Sequence, residues 1–306
     1  MKKTIQAVLF LFFVFSCYLI AVDSAFSFNF GKAFEKVLKN QDSIIKAVSI
    51  GKKSVKAFSD FNEEEQYYVG RSVGAHLLAK YKLSGKNSLS DYVSNIGQTL
   101  ALASERPDTF KGYHFILLDE PRKVNAFSVP SGFIFISTGL ISKASNEDEL
   151  AGILAHEISH NVYYHPTNSI KKAYRDQLKK EIFSFAADQV TKEHKNNMIK
   201  GLVTRLNQLS EMLIDNAARG YSREKETEAD RMAVEIMITA GYDPRALAKV
   251  LEKLNPVGTG NTGTHGNPVE RSREVMNITK KIESSLALSN SRTKRFNLVM
   301  KSRNEQ

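Results

Sequence analysis

The segment LAGILAHEISHNVYYH, residues 150–165, constrains this chain more than any other. It places three of the chain's seven histidines on a stretch otherwise suited to a buried helix. His156 and His160 are four residues apart, so on an α-helix they lie within about 40° of each other. Ala151, Leu154, Ile158 and Val162 fall opposite and can pack into a core. Two imidazoles at i and i+4 can converge on one ion at about 2.0–2.1 Å. Glu157 projects beside them, within reach of a proton on an activated water. HEISH therefore reads as the zinc motif HExxH. In a chain with seven histidines, chance produces such a motif on the order of once in a hundred cases. Chance does not also supply a helix start, which Asn146 and the acidic run Glu147, Asp148, Glu149 provide here.

A catalytic zinc needs a third protein ligand and a position left for water. His165 follows closely, but HEISHNVYYH lacks the HExxHxxGxxH spacing and its glycine turn. His165 reads instead as a structural residue or a support behind a ligand. A stronger candidate lies in EKETEAD, residues 224–230. Glu226 and Asp230 share a helical face, so Glu226 can bind zinc while Asp230 orients a ligand histidine through its other nitrogen. The plainer alternative is a solvated charged face, and Glu224 and Glu228 are read that way.

The rest of the chain predicts an α+β protein that is mostly helical. Residues 26–60 read as a peripheral amphipathic segment, and Asn62 caps a helix with an acidic first turn. A second helix covers SDYVSNIGQTLALAS. YHFILLD is an apolar strand, and VNAFSVP and GFIFIST flank Ser131-Gly132 as a hairpin. Ile170, Tyr174, Leu178, Ile182, Ala186 and Val190 repeat every fourth residue along one helical face. A further helix spans LVTRLNQLSEMLIDNAA, and another carries EKETEAD until Gly241 and Pro244 close it. NPVGTGNTGTHGNP is a loop, and 281–306 is a basic helical tail. The expected metallopeptidase domain is 61–280.

The start, MKKTIQAVLFLFFVFSCYLIAVDSAFS, has a short positive region, an apolar run and then small residues. That is a secretory signal pattern over residues 1–25. It predicts export, to a bacterial periplasm or a membrane-associated envelope site. Cys17 is the only cysteine; VFSC loosely resembles a lipoprotein box, but bulky Phe15 and the apolar YLIAV argue against lipidation there. The net charge of +10 favours anionic partners, including membrane surfaces, although a lysine-rich solvated surface explains it as well. No zinc-finger, RNA-binding or glycine-rich phosphate motif supports nucleic acid.

Taken with NAFSVPSGFIFISTGL, NEDELAGILAHEISH and YSREKETEAD, the sequence resembles the zinc metalloendopeptidases of the HtpX, BepA and mitochondrial Oma type. The resemblance runs from about Asn62 to about Thr279. It implies one zinc ion per chain held by His156, His160 and Glu226, with Glu157 as general base and Asp230 behind a ligand. It implies a gluzincin fold, with a small sheet beside the HExxH helix. The sheet's edge strand, expected within Phe133, Ile134, Phe135 and Ile136, would pair with an extended substrate, main-chain hydrogen bonds giving affinity without strong sequence choice. It also implies that His265, in THGNPVERSRE, gates the site or stabilises an oxyanion from a mobile loop. Here Gly266 and Asn267 stand before Pro268, a departure from the family's T-H-P loop. The charged stretch between Pro166 and Ala218 is a second departure, and overall the chain is more similar to stand-alone periplasmic members. The implied activity is hydrolysis of unfolded or misfolded envelope polypeptides. The competing expectations are a chaperone-like binding protein with a plugged zinc site and an envelope adaptor without chemistry.

Overall fold

Asn62 begins the part of the chain described by a computed structural model, which covers residues 62–85, 87–172, 221–254, 265–282 and 286–304. The expected signal segment, the 26–60 segment, Cys17, the helices expected across 174–218 and most of the glycine-rich loop lie outside the described residues.

Asn62 caps helix α1, Glu63–Lys80, through a reciprocal capping box with Glu65. Helix α2, Ser88–Leu102, is capped the same way by Asn87 and Ser90. Its buried face is Leu89, Tyr92, Val93, Ile96, Gly97, Leu100 and Ala101, the spacing of a single apolar stripe. Strand β1 is His114–Leu118, β2 is Ala126–Val129 and β3 is Phe133–Ser137. The expected hairpin joins β2 to β3 antiparallel. Its three-residue turn, Pro130–Gly132, takes positive φ at Ser131 (61°) and Gly132 (80°), left-handed backbone that glycine adopts freely. β1 lies parallel to β3 on the other side, so the strand order is β1-β3-β2.

That order corrects one expectation. Phe133, Ile134, Phe135 and Ile136 belong to the central strand, paired on both sides. Their backbone groups are committed to neighbours within the sheet, so this strand cannot add a substrate strand.

The sheet's two faces follow the period of two. Leu117, Ala126, Ile134 and Ile136 join the main core, while Leu118, Phe127, Val129 and Phe135 pack with Val73 and Leu77 of α1. Gly70 permits the approach of α1, because a Cβ there would lie 2.2 Å from the Pro130 carbonyl oxygen.

On the main-core face lies helix α4, Glu147–Val162, reached through the short helix α3, Thr138–Ile141. Every residue of α4 is buried, including its first-turn acids. Each acid has a partner from downstream in the chain. Glu147 accepts from Tyr92 Oη at 2.6 Å and from Tyr242 Oη at 3.1 Å, and it pairs with Arg295. Asp148 meets Arg292 at 2.8 Å and the Asp243 amide at 3.0 Å. Glu149 pairs with Lys253. Charges chosen for the helix dipole thus also act as anchors.

Helix α5 is Arg223–Thr239, α6 is Arg245–Lys253 and α7 is Pro268–Thr279. The stretch expected as a basic tail contributes helix α8, Leu286–Asn304. α8 supplies Arg292 and Arg295 and buries Phe296 against the main core. Among the described residues no helix is long and apolar enough to cross a membrane.

Candidate metal centre

Helix α4 presents His156 and His160 one turn apart, with their Nε2 atoms 3.1 Å from each other. The expected apolar back of the helix is in place: Ala151, Leu154, Ile158 and Val162 are all core residues. α5 packs along α4 and delivers the carboxylates. Glu226 places Oε2 3.3 Å from His156 Nε2 and Oε1 3.8 Å from His160 Nε2. Asp230, one turn further on, sets Oδ1 3.0 Å from His156 Nδ1. The tyrosine before α5 fixes Glu226 from behind, since the Tyr221 amide donates to Glu226 Oε1 at 3.2 Å.

His265 comes from the loop before α7. Its Nδ1 lies 3.2 Å from Glu226 Oε2. Its Nε2 is 3.8 Å from Glu157 Oε1, too far for a hydrogen bond. One ligand-type atom from each of His156, His160, Glu226 and His265 falls within 4.8 Å of the others. The donor set is nitrogen and carboxylate oxygen, as a zinc or similar ion requires. Two atoms here are buried without a protein partner, Glu157 Oε2 and His265 Nε2. Orphaned buried polar atoms are costly, and an ion with a water would satisfy both. The residues therefore fit the metal that the motif implies.

The charged groups of the cluster shift one another strongly. Burial pushes the Glu157 carboxyl up, against the pull of His265 and His156. Burial also acts on Glu226, but His265 and His156 outweigh it and drive its pKa far down. His156 is pressed downward by burial and by Arg271, yet Asp230 and Glu226 prevail and raise it to about 9. Burial, with His156 adding to it, holds His160 well below the ordinary range. Burial would raise Asp230, but Arg271 brings it to about 2.

The model of Peptidase family M48 matches residues 87–279, which include the whole cluster. The chain belongs to peptidase family M48. Among curated relatives, the mitochondrial metalloendopeptidase OMA1 of Arabidopsis thaliana is 30% identical over 166 residues, covering 53% of this chain and 30% of that protein. The beta-barrel assembly-enhancing protease of Escherichia coli (strain K12) is 26% identical over 195 residues, 61% of this chain and 36% of that protein. OMA1 of Schizosaccharomyces pombe is 28% identical over 192 residues, 60% of this chain and 51% of that protein. The matched part spans about a third to a half of the relatives' own length.

In this M48 chain the structure gathers His156, Glu157, His160, Glu226, Asp230 and His265 at one place. It leaves Phe133 to Ile136 in the sheet centre. Arg271 escaped the sequence reading. Its guanidinium donates to Asp230 Oδ2 at 2.7 Å and to Asp230 Oδ1 at 2.6 Å, and it also donates to the His265 carbonyl at 2.8 Å. One buried cation thus joins α5, α7 and the His265 loop. The available signal was its place on the stripe Arg271, Val275, Thr279, a buried face that begins with a charge. Tyr221 was missed too; its ring packs 4.3 Å from that of His160. Glu228 was read as solvated, and its side chain is 55% exposed, yet its Oε2 reaches His165 Nε2 at 3.3 Å.

Proposed function

We propose that this chain is a zinc-dependent metalloendopeptidase that cleaves unfolded or misfolded polypeptides of the cell envelope. The observation that carries the reading is the convergence of His156, His160 and Glu226 beside the unpartnered Glu157 oxygen. Bacterial relatives named as beta-barrel assembly-enhancing proteases support an envelope setting; the positive and then apolar start of the chain supports export, and the net charge of +10 suits an anionic membrane surface.

Bound zinc supplies Lewis acidity: it brings the pKa of water toward about 7 and polarises a scissile carbonyl. The chain's own residues do the rest. His156, His160 and Glu226 would hold the ion, and Asp230, 3.0 Å from His156 Nδ1, would keep that ring in register. Glu157 takes the proton of the attacking water and returns it to the leaving amine. Burial suits it to that exchange, because a carboxyl raised above its ordinary pKa can donate as well as accept. An extended substrate would pair with β2, the edge strand beside α4, whose Ser128 Oγ donates to the Glu157 carbonyl at 2.9 Å.

One observation favours a second reading of the resting state. One ligand-type atom of His265 lies within 4.8 Å of those of His156, His160 and Glu226, so the ring could serve as a fourth ligand in a resting state. A plugged binding protein would share that geometry without turnover. The deciding experiment is cleavage of an unfolded protein by the full chain, with and without a chelator. Cleavage that stops with chelator and returns with zinc supports the peptidase. Retained binding of unfolded protein with no cleavage by wild type, or by a variant lacking the His265 ring, supports the binding protein.

A further inference from the structure

His160 uses both ring nitrogens. Its Nε2 faces the cluster, 3.1 Å from His156 Nε2. Its Nδ1 lies 2.8 Å from Nδ1 of His165. The other nitrogen of His165, Nε2, lies 3.3 Å from Glu228 Oε2. This is a file of three side chains from the buried centre to the surface: His160 is fully buried, His165 is 3% exposed, and Glu228 stands at the rim.

The local sequence builds that file. α4 ends at Val162, and Tyr164 takes a positive φ of 55°, a break before helical backbone resumes at His165. His165 follows directly and is brought against His160 from behind. Aromatic rings hold it there, Tyr163 stacked at 5.7 Å and Tyr221 at 5.4 Å. Glu228 arrives from α5, two residues beyond Glu226, and points to the rim rather than the centre.

A metal-bound imidazole ordinarily gives its second N–H to a carboxylate, a carbonyl or water. His156 follows that pattern with Asp230. His160 has an imidazole in that place, and an imidazole accepts at one nitrogen only when its proton sits on the other. We infer that His165 and Glu228 are positioning residues that fix the tautomer and orientation of His160 as a metal ligand. With His160 Nε2 given to the ion, its proton stays on Nδ1 and is donated to His165 Nδ1. The His165 proton then stays on Nε2 and is donated to Glu228. The inference rests on the metal reading above, and it adds two residues that do not touch the ion.

The test is zinc affinity of the full chain, measured by competition with a chromophoric chelator. Thermal unfolding of the zinc-free forms is followed in parallel. His165→Leu removes the acceptor and is expected to weaken zinc binding about 10- to 100-fold. His165→Asn puts an oxygen near the Nδ1 position and is expected to recover most of that loss. Glu228→Ala, at a half-exposed position, is expected to cost about threefold. Nitrogen-15 NMR of zinc-loaded wild type should find His160 protonated on Nδ1 and His165 on Nε2. Wild type that binds zinc while His165→Leu binds equally well overturns the inference, and so does an asparagine no better than leucine. If His165→Leu does not fold, Glu228→Ala and the NMR tautomers decide. Wild type that takes up no zinc overturns the metal reading first, and this inference with it.

Discussion

Glu226 Oε2 lies 3.3 Å from His156 Nε2, a contact made only because α5 packs along α4. The carboxylate is buried and still ionised, held so by His265 and His156 against the cost of burial. A charge kept out of water this way is suited to a cation. Glu226→Ala is expected to lower zinc affinity by about 100-fold or more, beyond the effect of losing a residue behind a ligand. Calorimetric zinc titration checks it; unchanged affinity would remove Glu226 from the ligand set.

Glu157→Gln keeps the size of the side chain but cannot accept the proton. Fold and zinc content should persist while peptide cleavage falls by about 10²–10⁴-fold. Single-turnover cleavage with zinc-saturated protein measures this. Near-normal turnover would contradict the general-base role.

His265→Ala removes the fourth donor of the cluster. Zinc affinity is expected to fall about tenfold, and cleavage to rise, because the ring no longer fills the position beside Glu157. Parallel zinc titration and peptide assays test it. If neither quantity changes, His265 is a plain loop residue.

Arg271→Ala leaves buried Asp230 with His156 in place of its bidentate guanidinium. Breaking a buried pair in this way costs about 3–5 kcal/mol. Arg223, whose side chain is 70% exposed in its pairing with Glu270, offers a contrast. Its alanine variant is expected to cost no more than about 1 kcal/mol. Urea unfolding of zinc-free protein compares the two; equal losses would mean that the Arg271 network is not a structural clamp.

Tyr113 is 4% exposed and donates to the Arg106 carbonyl at 3.0 Å. Burial pushes its phenol up from 10.0 to about 12, although Arg106 opposes the shift. The folded pKa exceeds the unfolded one, so this contribution to stability is complete below about pH 10 and is lost as pH rises toward 12. Tyr113→Phe should therefore flatten the alkaline decline of the melting temperature between those values. An unchanged slope would place the loss elsewhere.

The HEISH helix was legible because its signals agree locally: Asn146 caps, acids follow, and two histidines share a face. Glu226 and Asp230 were legible for the same reason, their spacing defining a face before any partner is known. The hairpin was legible from Ser131-Gly132, whose backbone needs are local. Sheet order was not. HFILL and FIFIS are both unbroken apolar runs, and such runs do not say which strand is central. Nor could Arg271 be placed, because its partners lie on α5 and in the His265 loop and meet only after packing. Arg292 and Arg295 read as ordinary surface charge until α8 docks them on the first turn of α4. His165 and Glu228 are each unremarkable alone; only the turn at Tyr164 makes them one file.

Zinc K-edge X-ray absorption on the full chain, loaded with one equivalent of zinc, tests the central claim most directly. The account predicts imidazole nitrogens at about 2.0–2.1 Å with carboxylate oxygen, no sulfur, and a lighter ligand shell in Glu226→Ala. A chain that retains no zinc at one equivalent, or a shell that the Glu226 change leaves untouched, would contradict it.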